Sequence, residues 1–248
     1  MKFPDYFSNV ASDYAAYRPQ YPATLFEWLA SLCPRHELAW DCACGSGQAS
    51  RPLAGHFDLV VGTDASPEQV AAAEIDENTR FAVAMSEQVP LAKRSADLVT
   101  VAQALHWFAC DAFYAEVDRV IRPGGVFAAW TYGMPHFASD DVERVVHEFI
   151  DGPLGPYWPA EVRMVLDGYS SIGLPFLELE SPEFAIDLKW SPARYLDFVR
   201  TWSAVGRYIE EGGEDPVAQL ESELQRATPR GNENLAVSYR LDLRVCRV

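Results

Sequence analysis

The sequence predicts a doubly wound α/β fold, a mostly parallel sheet with helices on both faces. Two observations carry that expectation. Between residues 38 and 131, short and nearly continuous apolar runs alternate with helical stretches, the pattern of strands buried on both sides. A glycine-rich turn, Gly45-Ser46-Gly47, follows the first apolar run, and an acid, Asp64, closes the second. Ligands bind at the carboxyl ends of strands in such sheets, so both features fall on one edge.

Taken in order, residues 5–32 read as helical, with Tyr6, Phe7, Val10, Tyr14 and Tyr17 recurring. Arg18-Pro19-Gln20-Tyr21-Pro22 breaks the run, and a second helix starts near Ala23. Residues 38–42 form a short strand and 48–54 a helix that Pro52 either shortens or opens. Residues 59–63 are a β-branched strand. Residues 67–74 are an alanine-rich helix, with Ser66 as N-cap and Pro67 at the first helical position. Strands at 80–83, 98–102 and 125–130 follow, the last preceded by a helix over 112–120 that Arg122-Pro123-Gly124-Gly125 ends. Beyond Thr131 the spacing predicts a helix over 139–150, a loop over 152–159, extended chain within 176–190, helices over 192–210 and 216–226, and a closing strand over 236–248. This organises residues 1–248 as one domain: a helical lid (1–34), a cofactor-binding core (35–131) and a substrate cover (132–248).

The chain is acidic, with 36 Asp and Glu against 20 Lys and Arg, a formal net charge of -16. Such a surface is solvated and repels nucleic acid and anionic lipid, which argues against both as partners. No basic leader, no membrane-length apolar run and an odd count of 5 Cys point to the cytoplasm. Cys42 and Cys44 lack a second ligand pair at any usual spacing, so no metal is expected. The oligomeric state is not fixed by these features.

The turn fits a dinucleotide fingerprint only in part. Gly45 and Gly47 match it, but Ser50 stands at the third position. Asp41, four residues before Gly45, suits a ligand with an ammonium group, whereas a pyrophosphate needs bare backbone donors. Asp64, 17 residues after Gly47, is placed to accept ribose hydroxyls.

Five segments extend the pattern: Asp41-Cys42-Ala43-Cys44-Gly45-Ser46-Gly47, Val61-Gly62-Thr63-Asp64-Ala65-Ser66, Ser86-Glu87-Gln88-Val89-Pro90-Leu91, Ala102-Gln103-Ala104-Leu105-His106-Trp107-Phe108 and Arg119-Val120-Ile121-Arg122-Pro123-Gly124-Gly125. In these the chain resembles the class I S-adenosylmethionine-dependent methyltransferases, most closely the small-molecule branch that includes the trans-aconitate methyltransferase-like enzymes. The Tyr14 to Pro22 stretch and Thr201-Trp202-Ser203 also look like that branch.

The resemblance implies a Rossmann-like sheet of seven strands, the last antiparallel, with S-adenosyl-L-methionine as cofactor and S-adenosyl-L-homocysteine as product. It puts Asp41 by the methionyl ammonium, with Ala43, Gly45 and Gly47 flanking the cofactor. Asp64 then holds the ribose, Ala65 packs on the adenine, Ser86 and Glu87 edge it, and Gln103 and Ala104 lie by the sulfonium. The family's turn usually reads Asp-x-Gly-x-Gly-x-Gly, and Ala43 replaces its first glycine. Alanine tolerates positive φ poorly, so a negative φ is expected there.

His106 and Trp107 follow the fourth strand, where the methyl group should point. Trp107 offers an aromatic face to a sulfonium, and His106 is the one candidate base; either could instead fill the gap between strand and cover. Arg18, with Tyr14 and Tyr21, reads as a lid whose guanidinium pairs with a cofactor or substrate carboxylate, or else packs its stem on rings. Trp130, Tyr132, Trp158, Trp190 and Trp202 could line an aromatic pocket or belong to the core.

The expected activity is methyl transfer to a small molecule, in the first instance to a carboxylate oxygen of an organic acid. The rivals are O-methylation of a phenol or hydroxyl, a nucleotide-dependent oxidoreductase, and a non-catalytic cofactor-binding protein.

Overall fold

The computed structural model describes residues 18–228 and 234–248. Tyr14 and the first predicted helical stretch lie outside them. The first described helix, α1 (Ala23–Leu32), buries Leu25, Phe26, Leu29 and Ala30 on one stripe. Strands β1 (Leu38–Cys42), β2 (Leu59–Asp64), β3 (Thr79–Val83), β4 (Ala96–Ala102) and β5 (Ile121–Thr131) are parallel, in the order β3-β2-β1-β4-β5. Their side chains sort by alternation. Ala39, Val60, Leu98, Ala128 and Trp130 join one apolar core with α1, while Trp40, Val99, Val101, Phe127 and Ala129 join a second. Helix α4 (Asp111–Val120) covers the second face with Phe113, Val117 and Val120, after the short helices α2 (Ser50–Leu53) and α3 (Pro67–Ala71).

The remaining elements are β6 (His136–Phe137), α5 (Asp140–Asp151), α6 (Val162–Leu166), β7 (Leu177–Leu179), β8 (Phe184–Trp190), α7 (Pro192–Arg200), α8 (Ser203–Glu210), α9 (Val217–Ala227) and β9 (Leu235–Arg247). The 13-residue β9 serves two sheets. Its second half pairs antiparallel with β5 and with β7, completing a seven-stranded run β3-β2-β1-β4-β5-β9-β7. Its first half pairs with β8, which falls in the extended chain expected over 176–190, and with β6, a short strand outside the expectations. Among the described residues, no helix is long and apolar enough to cross a membrane.

Several boundaries differ from the expectations. The helix predicted over 48–54 is confined to α2, because 47–49 belong to the turn and Pro52 is tolerated only in a first helical turn. The helix predicted over 67–74 keeps its Ser66 cap, whose side chain accepts from Gln69 N, but stops at Ala71. It buries only Gln69, and Ile75 beyond it is 71% exposed, so no core holds a longer helix. The helix predicted over 192–210 is two helices. Thr201 Oγ1 donates back to Phe198 O at 2.6 Å, and Trp202 turns extended at ψ 137°. Strand β5 starts at Ile121, through a register shift between Ala96 and Leu98 that accommodates Pro123-Gly124-Gly125.

Candidate functional site

At the carboxyl edge of the sheet, the β1 turn and the tip of β2 are joined by hydrogen bonds. Cys44 N–H donates to Thr63 O at 3.0 Å, and Gly45 N–H to Asp64 Oδ2 at 2.9 Å. The other carboxylate oxygen, Oδ1, accepts from Ser66 N–H at 2.9 Å. Burial pushes the Asp64 carboxyl up from its ordinary value, against those backbone donors. Three backbone donors, of Gly45, Ala65 and Ser66, bear on this carboxylate, and its roughly four lone-pair sites leave room for a ligand hydroxyl.

These residues border a cavity that encloses about 1340 Å³ with its mouth included. Ala43, Gly45, Asp64, Ala65, Ser86, Glu87, Gln103, Ala104, Trp107, Arg18 and Tyr21 all line it. Ser86 Oγ donates to Glu87 Oε2 at 3.0 Å, giving one polar edge opposite the apolar Ala65 and Met85. The set fits a nucleoside: a carboxylate for a ribose, an apolar slot for a base, and a turn whose Gly45 carries no side chain into the space.

One expectation is corrected, and three of the expected site residues lie away from the cavity lining. Ala43 has φ +53°, not a negative value, because the turn requires the left-handed conformation there whichever residue fills it. Asp41 does not face the cavity. It is fully buried beneath the turn, where Oδ2 accepts from Ser50 Oγ at 2.6 Å and Oδ1 from Thr100 Oγ1 at 2.9 Å, and burial pushes its carboxyl up to about 6. Gly47, at φ +85°, is packed on Phe81; a Cβ there would sit 2.8 Å from the ring, so its glycine serves the turn's seat on β3. Trp130 is fully buried in the core and meets Tyr21 and Phe26 edge-on at 5.5 and 6.2 Å. It supports the lid segment from below.

A second cavity, about 950 Å³ with its mouth, adjoins the first. Arg18, Gln103, Trp107 and Tyr132 line both, so the two cavities meet at those four residues. Arg18 Nη1 donates to Tyr132 Oη at 3.0 Å, and its guanidinium carbon lies 5.5 Å from the Phe198 ring centroid. Gln103, at φ +57°, ties the ends of β4 and β5 together: its amide donates to Tyr132 O, and its oxygen accepts from Thr131 Oγ1. The segment before α1 is also tied to the turn, where Gln48 Nε2 donates to Pro19 O.

The rest of the second cavity is mostly apolar and aromatic, with Met134, Trp158, Leu166, Phe198, Trp202 and Tyr239. Of the rings proposed for a pocket, Tyr132, Trp158 and Trp202 line it, whereas Trp190 is buried in the core. His106 lines it too. Burial pushes its imidazole down to about 4, so it is neutral near pH 7. Sequence reasoning missed Phe198 and Tyr239, which are distant from the motifs, and Gln48, which directly follows one of them. The helix break at Trp202 was legible only as a short family-like tripeptide.

A nucleoside-sized cavity at the carboxyl edge of a 3-2-1-4-5 parallel sheet, closed by an antiparallel strand, defines a class I methyltransferase fold with a second chamber beside it. A family model described as a methyltransferase domain matches residues 40–129. A Dictyostelium discoideum protein assigned as a methyltransferase is 31% identical over 91% of this chain and 87% of its own. A Saccharomyces cerevisiae protein assigned as an S-adenosylmethionine-dependent methyltransferase is 30% identical over 52% of this chain and 47% of its own. A solved structure from Anaeromyxobacter dehalogenans, assigned as a type II methyltransferase, is 39% identical and covers 93% of this chain and 98% of its own, with a TM-score of 0.86. The chain belongs to the class I S-adenosylmethionine-dependent methyltransferases.

Proposed function

We propose that this cytoplasmic enzyme methylates a carboxylate oxygen of a small acid with an apolar or aromatic body. The observation that carries the reading is the place of Arg18: it borders both cavities, and the second is walled mainly by rings and aliphatic side chains. In this reading S-adenosylmethionine occupies the first cavity, with its ribose on Asp64, its adenine between Ala65 and Met85 and its sulfonium end toward Gln103, Ala104 and Trp107. It brings the methyl group on a sulfonium. Transfer to a carboxylate oxygen gives a methyl ester and the thioether S-adenosylhomocysteine, and no proton has to move.

The protein's part is to position and to exclude water. Arg18 holds the acid, the aromatic wall desolvates the body, and near-attack geometry at roughly 3–3.5 Å supplies several kcal/mol. His106, pushed down to about 4, is a poor base, which favours an acceptor already ionised at neutral pH. A polyacid suits this chamber less than a monoacid, because Asp151 lies on its rim and the net charge of -16 opposes anions at long range.

The second reading is a phenol or other hydroxyl acceptor, supported by the same aromatic wall and requiring His106 to take a proton. Incubating the protein with S-adenosylmethionine and matched aromatic carboxylic acids and phenols tests both. The expected outcome is S-adenosylhomocysteine with methyl esters of the acids. Methyl ethers of the phenols without esters would overturn it.

A further inference from the structure

The wall of the second chamber contains a hydrogen bond that no motif announces: Tyr169 Oη lies 3.0 Å from His106 Nδ1. Tyr169 owes its place to the end of α6. There Gly168, at φ +64°, donates from its N–H to Val165 O at 3.1 Å, and Tyr169 N–H donates to Met164 O at 2.8 Å. This is a helix stop whose last residue turns back toward the interior. Tyr169 is fully buried and is itself left-handed at φ +63°, a conformation that a bulky residue keeps only where its surroundings hold it. Arg244 provides such a hold. Its guanidinium donates to Tyr169 O and to Ile172 O, and Glu178 fixes it through contacts of 2.9 and 2.7 Å.

We propose that Tyr169 is a positioning residue that keeps His106 in the tautomer with its proton on Nε2, so that the chamber meets an N–H donor and not a basic lone pair. The proton assignment follows from acidity. A phenol O–H is a stronger acid than the N–H of a neutral imidazole, and an imidazole nitrogen is a stronger base than a phenol oxygen. The favoured bond therefore runs from Tyr169 O–H to Nδ1, and the single proton of the neutral ring sits on Nε2. Burial keeps the ring neutral near pH 7, and the Trp107 ring, 4.6 Å away centroid to centroid, packs against it. The consequence for catalysis rests on the carboxylate reading above. His106 Nε2–H and the Arg18 guanidinium then act as two donors to one anionic acceptor, and no base is presented, which a carboxylate does not need.

Nitrogen-15 NMR of the whole labelled chain tests this, with His106→Gln assigning the signal. At pH 7 the wild type is expected to show a pyridine-like Nδ1 and a pyrrole-like Nε2. Tyr169→Phe removes the donor to Nδ1, so the Nδ1 and Nε2 signals at pH 7 should move toward those of a mixture of tautomers, and the acceptor KM should rise with cofactor affinity unchanged. A pyrrole-like Nδ1 in the wild type overturns the proposal, as do Nδ1 and Nε2 signals in Tyr169→Phe that are unchanged from the wild type. The wild-type spectrum decides alone if that variant does not fold. An Nε2–H ring in a protein that methylates no acid leaves Tyr169 in its role and defeats only the carboxylate reading.

Discussion

Gly45 N–H and Asp64 Oδ2 lie 2.9 Å apart, so the glycine-rich turn hangs from the tip of the neighbouring strand. The same carboxylate that is proposed to take the ribose also shapes the turn beside it. Asp64→Ala should therefore weaken S-adenosylmethionine binding by about 1–3 kcal/mol. Calorimetric titration reads this directly, and an unchanged Kd would remove Asp64 from the proposed site.

Ala43 is held at φ +53°, where an alanine costs about 1–2 kcal/mol and a glycine almost nothing. Glycine returns part of that gain as unfolded-state entropy. Ala43→Gly is expected to raise stability by about 0.5–1 kcal/mol with cofactor affinity intact or improved. Urea denaturation of both proteins checks it; a lower midpoint for the glycine variant contradicts the strain argument.

How much of this was legible in the sequence divides along the chain. The motifs located the cofactor edge because turn, acid and strand are adjacent within 38–131, and local spacing encodes them. The direction in which Asp41 points was not legible. Its partners, Ser50 and Thr100, lie on other elements, and only the packed sheet brings their hydroxyls to it. The second chamber was legible only as a surplus of rings, since Tyr132, Trp158, Phe198 and Tyr239 come from separate segments that no local spacing brings together. Trp130 illustrates the limit: it shares a face with Tyr132, two residues on, but lies within β5 under Tyr21 and Phe26 and is fully buried, whereas Tyr132, just past the strand, reaches the chamber.

Asp41 and His106 should oppose each other in the pH dependence of stability. Asp41 is raised from 3.8 to about 6 by burial, so the folded state holds its proton more tightly and stability falls as pH rises from about 4 through 6. His106 is lowered from 6.5 to about 4, so stability rises across nearly the same interval. A displacement of roughly two pH units is worth about 3 kcal/mol, and the two contributions nearly cancel. Asp41→Asn is expected to unmask a steep rise between pH 4 and 6.5 that the wild type lacks. Melting curves across that interval decide it, and parallel profiles would mean that Asp41 ionises normally.

Arg18→Ala and His106→Ala separate the two acceptor readings. For a carboxylate acceptor, Arg18→Ala should cost on the order of 10²-fold or more in kcat/KM, consistent with loss of a charged hydrogen bond in a partly buried setting. His106→Ala should cost roughly tenfold or less, as for a lost neutral donor. S-adenosylmethionine affinity must be measured for each variant, because Arg18 borders the cofactor cavity as well. Abolished turnover in His106→Ala with an intact Arg18→Ala would reverse the assignment.

The double service of β9 bears on how the molecule is made. The strand β5, whose edge β9 pairs, belongs to the cofactor half, whereas β9 comes from residues 235–247. During synthesis, that edge of Ile121–Thr131 stays unpaired until the whole cover has left the ribosome, and its side chains are almost all apolar. Such an edge is a template for pairing with other nascent chains. The enzyme's yield in a cell is therefore set in part by the delay before one late strand arrives, and substitutions in the half of β9 that pairs with β5, Asp242 to Arg247, should lower solubility before they touch the reaction.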